Sequence, residues 1–294
     1  MVLVPGPRSP QQKGLATVGR AGFTLLTGAA PLLFAAYAVG TEAITPIAFA
    51  VVHLGTGATT LALLLGRGRL LASMSRSTEF VRPLALAMHA LLGSSALLFV
   101  DAARGAVALL GSIQLTQWFV AVWRGPRPRP LAWLGSVAIV GGILGLVAPT
   151  ASPAIVLGTA HMSFAGVAWA ASASTDRDAG DSLATNANQH VVATLFAISV
   201  AVALHKLFAV TPLGVALAAT SGAITSGLRY AGWDRMGPRL DARSAFARLA
   251  VPTLMVLGAS TILVAQLPLR AALPAALVLG GTALALAGKH GQAE

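Results

Sequence analysis

The stretch AWLGSVAIVGGILGL, residues 132–146, decides the fold class. It holds no charged residue, and with its neighbours it forms an apolar run over 131–149. A helix rises about 1.5 Å per residue and the bilayer's hydrocarbon layer is about 30 Å thick, so roughly 20 apolar residues cross it. Nine more runs of this kind occupy most of the remaining chain, at 19–39, 44–65, 83–101, 105–123, 153–173, 187–207, 213–233, 245–265 and 270–288. The pattern predicts an all-α membrane protein with ten transmembrane helices.

The opening stretch also has a counterpart. Its Gly141-Gly142 matches Gly280-Gly281 in LPAALVLGGTALALA, residues 273–287. DAARGAVALLG (101–111) resembles DARSAFARLA (241–250), and FAAYAVGTEA (34–43) resembles GVAWAASAST (166–175), which sets Tyr37 opposite Trp169. Offsets of 132 to 140 residues run through these matches and imply two five-helix halves, 19–149 and 153–288. Five is odd, so the second half enters the membrane from the opposite face. The expected architecture is therefore an inverted repeat, in which two similar halves exchange conformations around a site near the midplane.

Charge orients this bundle. With the N-terminus inside, 17 of the 20 Lys and Arg residues fall on the cytoplasmic side, and only Arg104, Lys206 and Arg270 fall outside. That bias predicts cytoplasmic N- and C-termini in a bacterial-type inner membrane. Residues 1–18, rich in Pro and Gln, read as a disordered cytoplasmic tail without the apolar core of a signal peptide, and 289–294 as a second tail. The net charge of +11 is spread over loops and not gathered on one face, so it argues for topology and contact with anionic lipid, not for nucleic acid. Hydrophobic residues make up 56% and charged residues 10%, against roughly 25% charged in a soluble domain. The absence of Cys excludes disulfides and thiolate chemistry. The connections, such as GPRPRP (125–130) and APTASP (148–153), are too short to hide a soluble catalytic domain.

Polar groups inside apolar runs mark candidate sites. All nine acids lie at helix ends or in loops, with Asp101 and Asp241 read as N-caps, so no carboxylate at mid-depth can carry a proton or sodium ion. Histidine is the remaining carrier, and His53, His89 and His161 are the proton-coupling candidates. The alternative for each is a polar group hydrogen-bonded between helices. Gln114 and Gln117 share a helix face with Trp118, and they line a cavity or join helices. In SGLRYAGWDRMG (226–237), Tyr230 and Trp233 read as an interfacial belt with Arg229 snorkelling. Ser244 and Arg248 lie one turn apart at the start of the ninth run, where Arg248 with Arg229 could make a cationic entrance for a carboxylate. Pro31 and Pro252 interrupt their helices and free carbonyls. No histidine pair has metal-ligand spacing, so neither a metal nor a cofactor is expected.

Inverted five-helix halves, Tyr37, FAGVAWAAS (164–172) around Trp169, LRYAGWDRMG (228–237) and AVPTLMVLGAS (250–260) together resemble the drug/metabolite transporter superfamily in its ten-helix EamA-type branch. Within it, the Trp of AGVAWAAS and the Tyr/Trp pair of RYAGW are similar to those of amino-acid exporters of the threonine/homoserine and aromatic types. The sequence departs from the family where Val251 replaces the acidic or hydroxyl residue before Pro252. The resemblance implies a central cavity beside Trp169, with His89 and the fourth helix facing it.

The expected function is a membrane transporter, secondary-active or facilitative, that exports amino acids or related small metabolites. Its substrate-binding candidates are Tyr37, His89, Gln114, Gln117, Trp118, Trp169, Tyr230, Ser244 and Arg248. An exporter of lipophilic cations with the same fold is the first alternative. An intramembrane hydrolase using Ser94, Ser95 or Ser260 is a remote one, because no nucleophile, base and acid share a depth. The chain is accordingly read as no enzyme. Its partners are a small-molecule substrate and the bilayer, and a monomer is possible.

Overall fold

The computed structural model describes residues 29–66, 68–69, 80–124, 129–148, 152–173, 182–204, 209–228, 253–254, 256–257 and 269–287. The described chain is helical, and its β-type pairing is an isolated bridge between Ile44 and Val210. The helices are α1 (Ala29–Gly40), α2 (Pro46–Leu65), α3 (Val81–Ala96), α4 (Ala102–Arg124), α5 (Pro130–Val147), α6 (Pro153–Ala173), α7 (Ser182–Ala203), α8 (Pro212–Ser221) and α9 (Leu269–Ala287). α8 runs on as π-helix over Gly222–Leu228. α9 covers the tenth apolar run, and most of the ninth lies outside the described residues.

Helix starts follow local chemistry. Pro46, Pro130, Pro153 and Pro212 open α2, α5, α6 and α8, positions where the missing N–H costs nothing. Asp101 caps α4 as its sequence predicts, its Oδ1 accepting from the Arg104 N–H at 2.8 Å while Oδ2 pairs with the Arg104 guanidinium at 3.1 Å. Thr211 caps α8 by accepting from the Gly214 N–H at 3.1 Å. Asp241, the other predicted cap, lies outside the described residues.

Among the described residues, five helices are long and apolar enough to cross a membrane: Pro46–Leu65, Ala102–Trp123, Pro130–Val147, Pro153–Ser172 and Leu183–Ala203. Their outward faces are apolar too. On α5 the exposed residues include Leu134, Val137 and Leu144, while the inward face carries Ala132, Gly135, Ser136, Ile139 and Gly142. Small residues inside and large aliphatic ones outside invert the soluble pattern and suit a helix with lipid on one side. The chain is a helical, multi-pass membrane protein by this criterion.

Glycines fix how the helices meet. α5 and α9 run antiparallel, with Gly135 against Gly281 and Ala285, and Gly142 against Pro274 and Val278. α2 and α7 are also antiparallel, since Leu61 and Leu65 meet Ala184 and Ala187 while Ala50 and Leu54 meet Ala193 and Ala197. α8 lies parallel to α2: Gly214 touches Ala43, Gly222 touches His53 and Gly227 touches Thr60. α6 lies parallel to α4, with Gly158 on Val100, Gly105 on Met162 and Gly166 on Ser112. Helices distant in sequence are thus interleaved, and a pocket is formed where they converge.

Candidate functional site: a histidine-walled cavity

A cavity of about 80 Å³ opens among α1, α2, α3, α4 and α6. Leu32, Phe49, Leu109 and Met162 supply apolar wall, and His53, His89 and Ser94 supply the polar side chains. Thus two of the three histidines singled out from the sequence face one space. No charged side chain lines it among the described residues.

Each polar group here has a defined partner. His53 stacks on Phe49 one turn earlier on α2, with ring centroids 6.0 Å apart and planes at 16°. Its Nδ1 lies 3.0 Å from Ser221 Oγ and its Nε2 lies 3.3 Å from Ser226 Oγ. A neutral imidazole has one donor and one acceptor nitrogen, and a hydroxyl can serve either, so the two serines satisfy both tautomers. His89 Nδ1 lies 3.0 Å from the Ala165 carbonyl, which only accepts, and so this nitrogen carries the proton. The single proton of the Ser94 hydroxyl is shared between the carbonyls of Ala90 at 2.7 Å and Pro46 at 2.9 Å.

The grip on His53 depends on helix geometry. Residues five apart in an α-helix are about 1.4 turns apart and point in different directions, whereas the i→i+5 closure of a π-helix brings them onto one face. Ser221 is the last residue of α8 and Ser226 lies within the π-helix that continues it. Most membrane-type Ser and Thr hydroxyls here, including Thr56, Thr60, Ser112 and Ser136, donate to the carbonyl one turn back. Those of Ser221 and Ser226 turn to the imidazole instead. Gly222 permits the approach, because a Cβ there would collide with the His53 carbonyl. Gly57 does the same from α2, where a Cβ would lie 2.6 Å from Ser226 Cβ and 3.2 Å from His190 Cδ2. His190 is fully buried, and its Nδ1 donates to the Asn186 carbonyl at 2.8 Å.

The remaining predicted residues are dispersed. His161 stands edge-on to Phe99 at 6.0 Å, outside the cavity lining, and its buried Nδ1 has no hydrogen-bond partner. Gln114 is buried with its Nε2 unpartnered, and one turn on Trp118 packs edge-on against Trp133 at 4.7 Å, its own buried Nε1 also unpartnered. Gln117 is half-buried beside them on α4. Trp169 is half-buried on α6, and its carbonyl accepts from the Ser172 hydroxyl at 2.8 Å. Tyr37 is half-exposed on α1, with its carbonyl taken by Thr41 at 2.7 Å. Tyr230, Ser244 and Arg248 lie outside the described residues. No group of three His, Asp or Glu side chains suited to a metal ion occurs among the described residues.

Sequence reasoning missed Ser221, Ser226 and Phe49. The signal was present in SGAITSG (221–227), two Ser-Gly pairs five residues apart. That spacing scatters the serines under α-helical periodicity and aligns them only in the π register.

The uncharacterized protein PA1977 of Pseudomonas aeruginosa is 36% identical to this chain over 278 residues, covering 92% of this chain and 96% of the relative. The chain belongs to the family of that protein. No family model matches it. A solved crystal structure of a protein superposes with a TM-score of 0.60 at 19% identity, over 92% of this chain and 99% of that one. At that identity the likeness concerns the fold alone.

Proposed function

We propose that this protein is a membrane transporter that carries amino acids or related small metabolites by alternating access, with the histidine-walled cavity as part of its substrate path. The observation that carries this reading is the cavity's place: it lies within a multi-pass helical bundle, where α1 to α4 meet α6 from later in the chain. A space walled by helices from both parts of a chain can change its access when those parts shift against each other.

The interleaving supports the inverted-repeat architecture that this mechanism uses. Gly142 of α5 packs on Pro274 and Val278 of α9, and Gly281 of α9 packs on Gly135 and Ile139 of α5. Gly142 and Gly281 are 139 residues apart, as are Gly135 and Pro274, and Ile139 and Val278. Any antiparallel pair has mirrored contacts. What the repeat adds is a glycine at the close approach on both helices, as the matched Gly-Gly pairs require. Ten helices, two inverted halves and cytoplasmic termini complete the proposal, and Arg248 remains its candidate for the substrate's carboxylate.

The test is counterflow of labelled amino acids in proteoliposomes, followed by efflux from vesicles loaded with whichever amino acid is carried. Trp169→Ala is expected to abolish that efflux while the protein still purifies as a monodisperse species. Unchanged efflux would remove Trp169 from the substrate path, and no counterflow of any amino acid or related metabolite would remove the transporter reading. A pH gradient across the same vesicles tests histidine coupling, which predicts faster flux when the gradient opposes substrate movement. Indifference to the gradient would mean facilitated diffusion.

A further inference from the structure

The polar side-chain atoms of Ser94 and His53, and Nδ1 of His89, are already committed. The hydroxyl of Ser94 is turned back to the carbonyls of Ala90 and Pro46. Nδ1 of His89 is held by the Ala165 carbonyl. Both nitrogens of His53 face serine hydroxyls, and its ring lies against Phe49. What these side chains can still offer an occupant is mostly ring face and aliphatic surface, continued by Leu32, Leu109 and Met162.

We propose that this cavity is a pocket for an uncharged, apolar group, and that Ser221 and Ser226 make it so by occupying both ring nitrogens of His53. An unpaired charge brought into such a space loses its hydration and finds no counter-charge among the described residues. The volume, about 80 Å³, is roughly half of the ~150 Å³ apolar cavity that stays dry and binds benzene or xenon in another protein. It therefore takes a short aliphatic group and not a ring. As a statement about substrates, this rests on the transporter reading: the cargo is a metabolite with a small uncharged aliphatic group, and its charged ends lie outside this pocket. Ser221 and Ser226 are then specificity-determining through His53, because without them a bare ring nitrogen would draw water or a polar group into the pocket.

Met162 lines the cavity and reports on it directly. The experiment is methyl NMR of the intact protein in lipid nanodiscs, with ¹³C-methyl methionine and xenon, methylammonium or acetate as probes. The Met162 signal is expected to shift saturably with xenon and to ignore both ions. Ala90→Leu, which fills the space, is expected to abolish the shift. Ser226→Ala or Ser221→Ala should weaken the xenon response about tenfold, the equivalent of one lost partner at a buried polar atom. A Met162 signal that ignores xenon, or that follows methylammonium or acetate, overturns the pocket. So does an undiminished xenon response in both serine variants, with respect to the masking of His53. Counterflow of valine against aspartate and lysine separates the two readings: equal carriage of all three overturns the substrate class alone. A xenon response without any counterflow overturns the transporter and leaves the pocket standing.

Discussion

His53 shows how much a side chain's role depends on what faces it. On the sequence it is a lone histidine midway along an apolar run, open to service as a proton carrier or as interhelical glue. In the fold it stacks on Phe49 and is bracketed by two hydroxyls from α8 and its π-helical extension. Hydrogen bonds between membrane helices average about 0.6 kcal/mol and reach about 1.7. Ser221→Ala and Ser226→Ala are each expected to lower stability by about 0.5–1.5 kcal/mol, measured by thermal unfolding in detergent. Gln114 is the contrasting case, since its buried Nε2 has no partner. Gln114→Leu should leave stability unchanged or raise it, because it removes an unsatisfied buried donor. If Gln114 touches substrate, the same variant loses transport, and the two measurements separate contact from glue.

At the scale of elements, adjacent glycines make opposite predictions. A Cβ on Gly142 would lie 2.7 Å from Val278 Cγ2 and 2.8 Å from the Pro274 carbonyl, whereas one on Gly141 meets nothing within 4 Å. Gly281 and Gly280 repeat the contrast on α9, where Gly281 abuts the Gly135 carbonyl and Gly280 is open. Gly141→Ala and Gly280→Ala are expected to be neutral or to stabilise by up to about 1 kcal/mol, the helix-propensity gain over glycine. Gly142→Ala and Gly281→Ala should destabilise by about 1–3 kcal/mol through forced separation of α5 and α9. Equal melting temperatures for Gly141→Ala and Gly142→Ala would contradict the packing. The two Gly-Gly pairs were legible in the sequence, but which member of each carries the contact depends on the rotation of the helices about their axes.

At the scale of the whole molecule, the chain's lack of cysteine makes single-Cys labelling clean. Cysteines placed at Arg67, Gln12 and Lys289 should react with an impermeant maleimide only from the cytoplasmic side, and those at Arg104 and Arg270 only from outside. Opposite sidedness for positions 12 and 289 would end the inverted-repeat proposal, since two five-helix halves return the chain to the side it left.

Fold class is written in single stretches, because helix length and the cost of an unpaired backbone in hydrocarbon leave few alternatives. Local caps are equally readable: Asp101 needs only its own N-terminal turn. The site is another matter. His53 and His89 face one cavity because α2, α3 and α6 converge, and Ser221 and Ser226 reach His53 across 168 and 173 residues of sequence. Periodicity read at 3.6 residues per turn separates those serines. Only the packing of α8 on α2, close enough for Gly222 to touch the His53 carbonyl, reveals that a π turn has brought them together.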